Sequence, residues 1–151
     1  MLVLFMRHGE AEPASPGVRD EDRRLTGRGR LVVEAVARLL SVRPVVAYTS
    51  PLARAVETGE IVCRIHGCRV EVRRELHPDD FSIDALGGMG LGDAHLLVGH
   101  NPSMREVVEG LVGGSVSLSP GSVAIVEAGT LRPGGGRLAA LLNPRFMSLD
   151  A

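Results

Sequence analysis

A chain of 151 residues with 44% hydrophobic and 23% charged side chains is long enough to bury one domain core and has an ordinary globular composition. A formal net charge of −1 excludes a global electrostatic grip on nucleic acid or on an anionic membrane. The 3% aromatic content, with no tryptophan, argues against base-stacking or sugar-stacking surfaces. All 17 basic residues are arginine, the side chain best suited to fork-like grips on phosphate.

Residues 2–6, Leu-Val-Leu-Phe-Met, form an apolar run that predicts a short buried strand, and it breaks off into Arg7-His8-Gly9. The run is too short for a signal-peptide core and lacks a basic leader. No stretch has the length of a transmembrane helix, so the cytoplasm is the expected compartment. Glycine at position 9 is expected to let the backbone turn sharply. A polar loop from Glu10 to Asp22, broken by Pro13, Pro16 and Gly17, leads to Thr26, a helix N-cap. Behind it Leu31, Val32, Ala35, Val36, Leu39 and Leu40 recur at helical spacing. Pro44 closes that helix, and Val45–Tyr48 reads as a second buried strand ending at Thr49-Ser50-Pro51.

A helix is expected from Leu52 to about His66, with Gly67 just past its end. Cys68–Arg73 alternates like a strand with Val70 and Val72 on one face. Cys63 and Cys68 are expected to be reduced structural thiols, a disulfide being the alternative. Between Glu75 and Asp93, Asp84–Leu86 has helical character, but Gly87, Gly88, Gly90 and Gly92 predict a loop or broken helix. His95–Val98 is a further strand, followed by Gly99-His100-Asn101-Pro102 and a helix over Ser103–Leu111. Ser103 is read as its cap, with Glu106 three residues on. Ser122–Glu127 and Leu138–Leu142 are the last strands, joined by the turn Arg132–Gly136. The rhythm predicts a single α/β domain over residues 1–151, a three-layer α/β/α sandwich with a mostly parallel central sheet.

Three of these strand ends carry the chemistry. Open α/β sheets place ligands at the carboxyl ends of their strands. Here those ends bring Arg7 and His8, Ser50 with Arg54 one turn on, and His100 to one edge. Two arginines and two histidines gathered in a chain of net charge −1 predict a bound phosphoryl group. Guanidinium forks match its oxygens, and helix N-termini add N–H donors. His66, His77 and His95 have no metal-ligand spacing and are read as surface or loop residues; no metal and no cofactor are expected.

Arg7-His8-Gly9, Ser50-Pro51-Leu52-Ala53-Arg54-Ala55 with Thr58, and Gly99-His100 resemble the signature of the histidine phosphatase (phosphoglycerate mutase-like) superfamily. Met6–Ala11, Asp22–Thr26 with Gly29, Val98–Pro102 and the late Leu142-Asn143-Pro144 are similar to the small SixA-like phosphohistidine phosphatases. The resemblance implies that His8 is a nucleophile that becomes phosphorylated, and that Arg7, Arg54 and His100 hold the phosphoryl oxygens, with Asn101 a further candidate contact. By position in the family pattern Glu75 is the first candidate proton donor, with Asp79, Asp80 and Glu10 as alternatives; equally, Glu75 reads as a solvated partner of Arg73 or Arg74. Arg23 either approaches the phosphate or forms an ion pair with Asp20 or Asp22.

Short connections imply an open site, which suits a phosphorylated side chain presented by another protein. The expected function is thus a metal-independent phosphatase, acting on phosphohistidine in a protein through an intermediate on His8. The alternatives are a phosphomonoesterase for a small sugar or nucleotide phosphate, and a non-catalytic phospho-ligand binding domain. The expected partner is a phosphorylated protein or small phosphorylated substrate, with neither nucleic acid nor membrane. Nothing in the sequence sets the oligomeric state.

Overall fold

The N-terminal apolar run forms β1 (Leu2–Arg7), and its alternation divides the core in two in the computed structural model, which describes residues 1–149. Val3 and Phe5 join one buried cluster, Leu4 and Met6 the other, and all four are fully buried. A strand covered on both faces reads as a continuous apolar run, and each such side chain stabilises the fold by roughly 2 kcal/mol. The elements that follow are α1 (Gly27–Leu39), β2 (Val46–Thr49), α2 (Ala53–His66), β3 (Arg69–Val72), α3 (Ile83–Gly87), β4 (His95–Gly99), α4 (Ser103–Val112), β5 (Val123–Ala128) and β6 (Gly136–Leu142).

One sheet holds the six strands in the order β3-β2-β4-β1-β5-β6. The pairs β3/β2, β2/β4 and β4/β1 are parallel, and β5 runs antiparallel to both β1 and β6. Only β5 is therefore reversed. Helices α1 and α2 cover one face, with Val33, Val36, Ile61 and Val62 against Leu4, Met6 and Leu96. On the other face α4 packs Met104, Val107 and Leu111 over Phe5 and Leu97, joined by Leu76, Phe81, Leu86 and Met89 from the glycine-rich segment. This is the three-layer α/β/α sandwich with a mostly parallel sheet. No helix among the described residues is long and apolar enough to cross a membrane.

Thr26 caps α1 by accepting the Gly29 N–H, and Gly67 ends α2 in the left-handed conformation at φ 74°. Two local expectations need correction. Cys63 and Cys68 form a disulfide: Gly67 reverses the chain after the helix, so Cys68 lies outside it with its Cα 4.5 Å from that of Cys63. Ser103 does not cap α4; Pro102 holds that place, and the Ser103 hydroxyl donates to the His100 carbonyl. β3 carries Val70 and Val72 on one face as expected, and Val72 is half exposed because β3 is the sheet's edge and pairs only with β2.

Candidate active site

Parallel pairing sets the carboxyl ends of β1, β4 and β2 side by side: Arg7 stands opposite Gly99, and Thr49 opposite Val98. The chain leaving each strand is held to its neighbour. The His8 N–H donates to the Gly99 carbonyl at 3.0 Å and the Ser50 N–H to the Val98 carbonyl at 3.1 Å. The Gly121 N–H closes on the carbonyls of Arg7 and His8 at 3.1 and 3.0 Å. Arg7, His8, Arg54 and His100 thus line a single cleft of about 870 Å3, and Arg23 and Asn101 line it with them.

Gly9 is required for close approach rather than for a sharp turn: it has no positive φ, but a Cβ there would lie 2.6 Å from Val33 Cγ2. Its N–H donates to Thr58 Oγ1 at 3.1 Å, and that hydroxyl donates to the Arg54 carbonyl at 2.7 Å. One side chain on α2 therefore couples the loop after His8 to the residue that carries the second guanidinium.

The His8 ring has a defined tautomer. A carbonyl only accepts, so the 2.7 Å contact to Gly9 O places the proton on Nδ1 and leaves the lone pair on Nε2. Burial pushes the His8 imidazole down to about 4; the Gly9 hydrogen bond opposes this, while Arg54, Arg7 and Arg23 add to it. The neutral, nucleophilic ring is thus the form present at neutral pH.

His100, 3% exposed, lies with its ring centroid 5.0 Å from that of His8. Burial lowers it to about 3, with further lowering by His8, Arg54 and His77. Its Nε2 meets Ser50 Oγ at 2.6 Å. That oxygen also accepts the Leu52 N–H at 3.3 Å, and where its own hydrogen goes to Nε2 the His100 proton lies on Nδ1, facing the cleft.

Four buried polar atoms of this cleft have no protein partner among the described residues: Arg7 Nε, Arg54 Nε, His100 Nδ1 and Asn101 Oδ1. Buried polar groups are ordinarily satisfied, and unpaired ones cost about 1–3 kcal/mol each, so three such nitrogens in one cleft are arranged as an anion's partners would be. Asp20 shapes it from outside. Arg54 donates to the Asp20 carbonyl at 2.8 Å and to its carboxylate at 3.2 Å, and Arg23 donates to the same carboxylate at 3.0 Å. The bond from Arg23 holds Asp20 below the usual carboxylate range, with Arg54 adding to it. Arg23 thus faces the cleft and pairs with Asp20 at once.

Glu75 stands apart. Arg73 grips its carboxylate, Nε at 3.1 Å, and holds it below the usual range; Glu75 does not line the cleft. His77 and Asp79 line it instead; His77 is a loop residue, as expected, and it borders the cleft. Of the alternative donors Glu10 also lines the cleft, and Asp80 does not. His66 donates to the Ala37 carbonyl at 2.7 Å, and the His95 ring packs edge-on to Tyr48; neither is in the cleft. Sequence reasoning names Asp20 only as an alternative ion-pair partner of Arg23, missing its bond to Arg54, and does not place His77 at the cleft. The i, i+3 spacing of Asp20 and Arg23 was the one available signal for Asp20; nothing local marked His77. Among the described residues no group of three or more His, Cys, Asp or Glu side chains is arranged to hold a metal ion.

The family model of the histidine phosphatase superfamily (branch 1) matches residues 3–89. Among solved structures the chain is similar to one from Agrobacterium tumefaciens provisionally described as the phosphohistidine phosphatase SixA. The two share 25% identity at a TM-score of 0.80, over 95% of this chain and 97% of that one. It is similar in fold to the protein histidine phosphatase SixA complexed with tungstate, at 24% identity and a TM-score of 0.77 over 96% and 98% of the two chains. A third structure of similar fold, from Escherichia coli and provisionally described as an alpha-ribazole-5'-P phosphatase, has 17% identity and a TM-score of 0.73 over 95% and 98%. No curated protein sequence matches.

Proposed function

The chain belongs to the histidine phosphatase superfamily, and from that membership we propose that it is a phosphatase that removes the phosphoryl group of phosphohistidine in a protein through a covalent intermediate on His8. The observation that carries this reading is the ring of unpartnered Arg7 Nε, Arg54 Nε and His100 Nδ1 beside an imidazole whose Nε2 bears a lone pair. His8 Nε2 attacks phosphorus in line, the bond to the leaving nitrogen breaks, and the departing imidazole takes up a proton. Water then displaces His8 and carries the phosphoryl group away. One difficult hydrolysis becomes two easier displacements. Arg7, Arg54 and His100 stabilise charge on the equatorial oxygens, where fixed donors act most strongly in the transition state. Two guanidiniums supply the positive charge that a metal would otherwise bring, so the reaction is metal-independent. Arg23 and Asn101 complete the phosphate contacts.

The protein substrate is supported by the open form of the cleft and by the likeness to structures described as SixA phosphatases. A volume of about 870 Å3 also falls in the range of small-molecule sites, which favours a phosphomonoesterase as the second reading.

The test is hydrolysis of a phosphohistidine-bearing protein alongside p-nitrophenyl phosphate with chelator present, in wild type and His8→Ala. Turnover that survives chelation, favours phosphohistidine and disappears in His8→Ala is the expected result. Turnover of the ester alone selects the second reading, and phosphate binding without turnover of either substrate overturns both.

A further inference from the structure

With Glu75 held by Arg73, the proposed reaction still needs a group to protonate the leaving atom, on the side of the cleft away from His8. Glu10 follows the nucleophile by two residues and its carboxylate accepts the Thr26 hydroxyl at 2.9 Å. Asp20 is committed to Arg23 and Arg54. His77 is placed differently. It lines the cleft together with His8, His100 and Arg54.

The loop that carries it is firmly seated. The His77 N–H donates to the Arg74 carbonyl at 3.0 Å, and its own carbonyl accepts the Asp80 and Phe81 N–H groups at 2.9 and 3.1 Å. Leu76 and Phe81 anchor the two sides in the core. The ring is oriented too: Nδ1 accepts the Asp79 N–H at 3.2 Å and lies 3.8 Å from the Asp79 carboxylate. The first contact requires Nδ1 without a hydrogen and so a ring whose hydrogen is on Nε2; with Nδ1–H the ring faces the Asp79 carboxylate instead, and that is the form in which Nε2 can give and then take back a proton.

We propose, resting on the phosphatase reading above, that His77 is the general acid of the first half-reaction and the general base of the second, with Asp79 as its positioning residue. As the bond between His8 Nε2 and phosphorus forms, the bond from phosphorus to the leaving atom breaks. That atom keeps the electron pair and takes the Nε2 proton of the His77 imidazolium. In the second half-reaction water attacks phosphorus and gives a proton to the now neutral His77 Nε2, and His8 leaves. The phosphoryl group has passed to water, and His77 is protonated as it began.

The experiment compares kcat/KM for two esters that differ only in the leaving group. Phenolate departs poorly without a proton, and p-nitrophenolate departs unaided. His77→Gln is expected to lower turnover of phenyl phosphate by ~100-fold and of p-nitrophenyl phosphate by no more than about threefold, as removal of a general acid requires. Asp79→Asn gives the same selective loss at about tenfold, because the ring is retained but less well held. The p-nitrophenyl ester measured on the same variant shows that the protein is folded. Equal loss on both esters, or no loss on either, overturns the proposal, as does a selective loss in Glu10→Gln that His77→Gln lacks. Retained turnover in His8→Ala would instead sink the phosphatase reading itself, so the two failures are distinguishable.

Discussion

Two buried imidazoles decide much of the chemistry at the level of single residues. Burial holds His8 down to about 4 and His100 to about 3, against an ordinary histidine near 6.5. The same shift makes His8 a lone-pair donor at neutral pH and links folding to acidity. The unfolded chain binds protons at these rings from about pH 6.5 downward, while the folded chain refuses them until about 4 and 3. Stability is therefore fully present above pH 6.5 and is lost as pH falls towards 4, by an amount on the order of 3 kcal/mol for His8 alone. Urea denaturation between pH 7 and 5 measures it. His100→Gln is expected to flatten that decline, and a decline as steep as the wild type's would show that other groups carry it.

At the level of elements, the cleft is an intersection of separately folded pieces, and the ties between them matter as much as the side chains that face the ligand. Thr58 on α2 is fully buried, accepts the Gly9 N–H and donates to the Arg54 carbonyl. Thr58→Val nearly keeps the volume but leaves the Gly9 N–H buried without a partner, which costs about 1–3 kcal/mol. The variant is expected to unfold at lower urea concentration and to lose kcat as well, since His8 and Arg54 lose their common support. A lower midpoint with unchanged kcat would make the tie purely structural. Close approach is equally strict on the other side of the same loop. A Cβ on Gly29 would overlap the Glu10 carbonyl, so the first turn of α1 can lie against the strand-end loop only with glycine there.

The whole molecule is nearly neutral, yet its sheet edge concentrates arginines and buried N–H donors that have no protein partner. An anion that binds only the folded form stabilises it by mass action, about 2.7 kcal/mol at a hundred times its Kd. Inorganic phosphate should therefore raise Tm in a concentration-dependent way, by roughly 2–4 °C per kcal/mol for a chain of this size. Arg54→Ala should abolish most of the rise, and added salt should weaken it. An equal rise in wild type and Arg54→Ala would place the anion elsewhere.

The sequence by itself determined the layered α/β fold, because strands buried on both faces and amphipathic helices leave different periods in the chain, as residues 2–6 and 31–40 do. It also placed Arg7, His8 and His100 at strand ends and Arg54 in the first turn of the helix after β2, since the carboxyl edge of a parallel sheet gathers ligand-facing groups whatever the loops between them do. Tertiary structure alone decided the partners. Glu75 is open in the sequence between a proton donor and a partner of Arg73 or Arg74, and only the packed fold shows Arg73 holding it while His77, two residues on, borders the cleft. Asp20 becomes a bridge only when α2 brings Arg54 to the loop that already holds Arg23. Cys63 and Cys68 are expected from the sequence to be reduced, with a disulfide as the alternative, and they meet because Gly67 reverses the chain between the helix and Cys68. Periodicity is a property of neighbours along the chain; hydrogen bonds, ion pairs and desolvation depend on neighbours in space, which only the packed fold supplies.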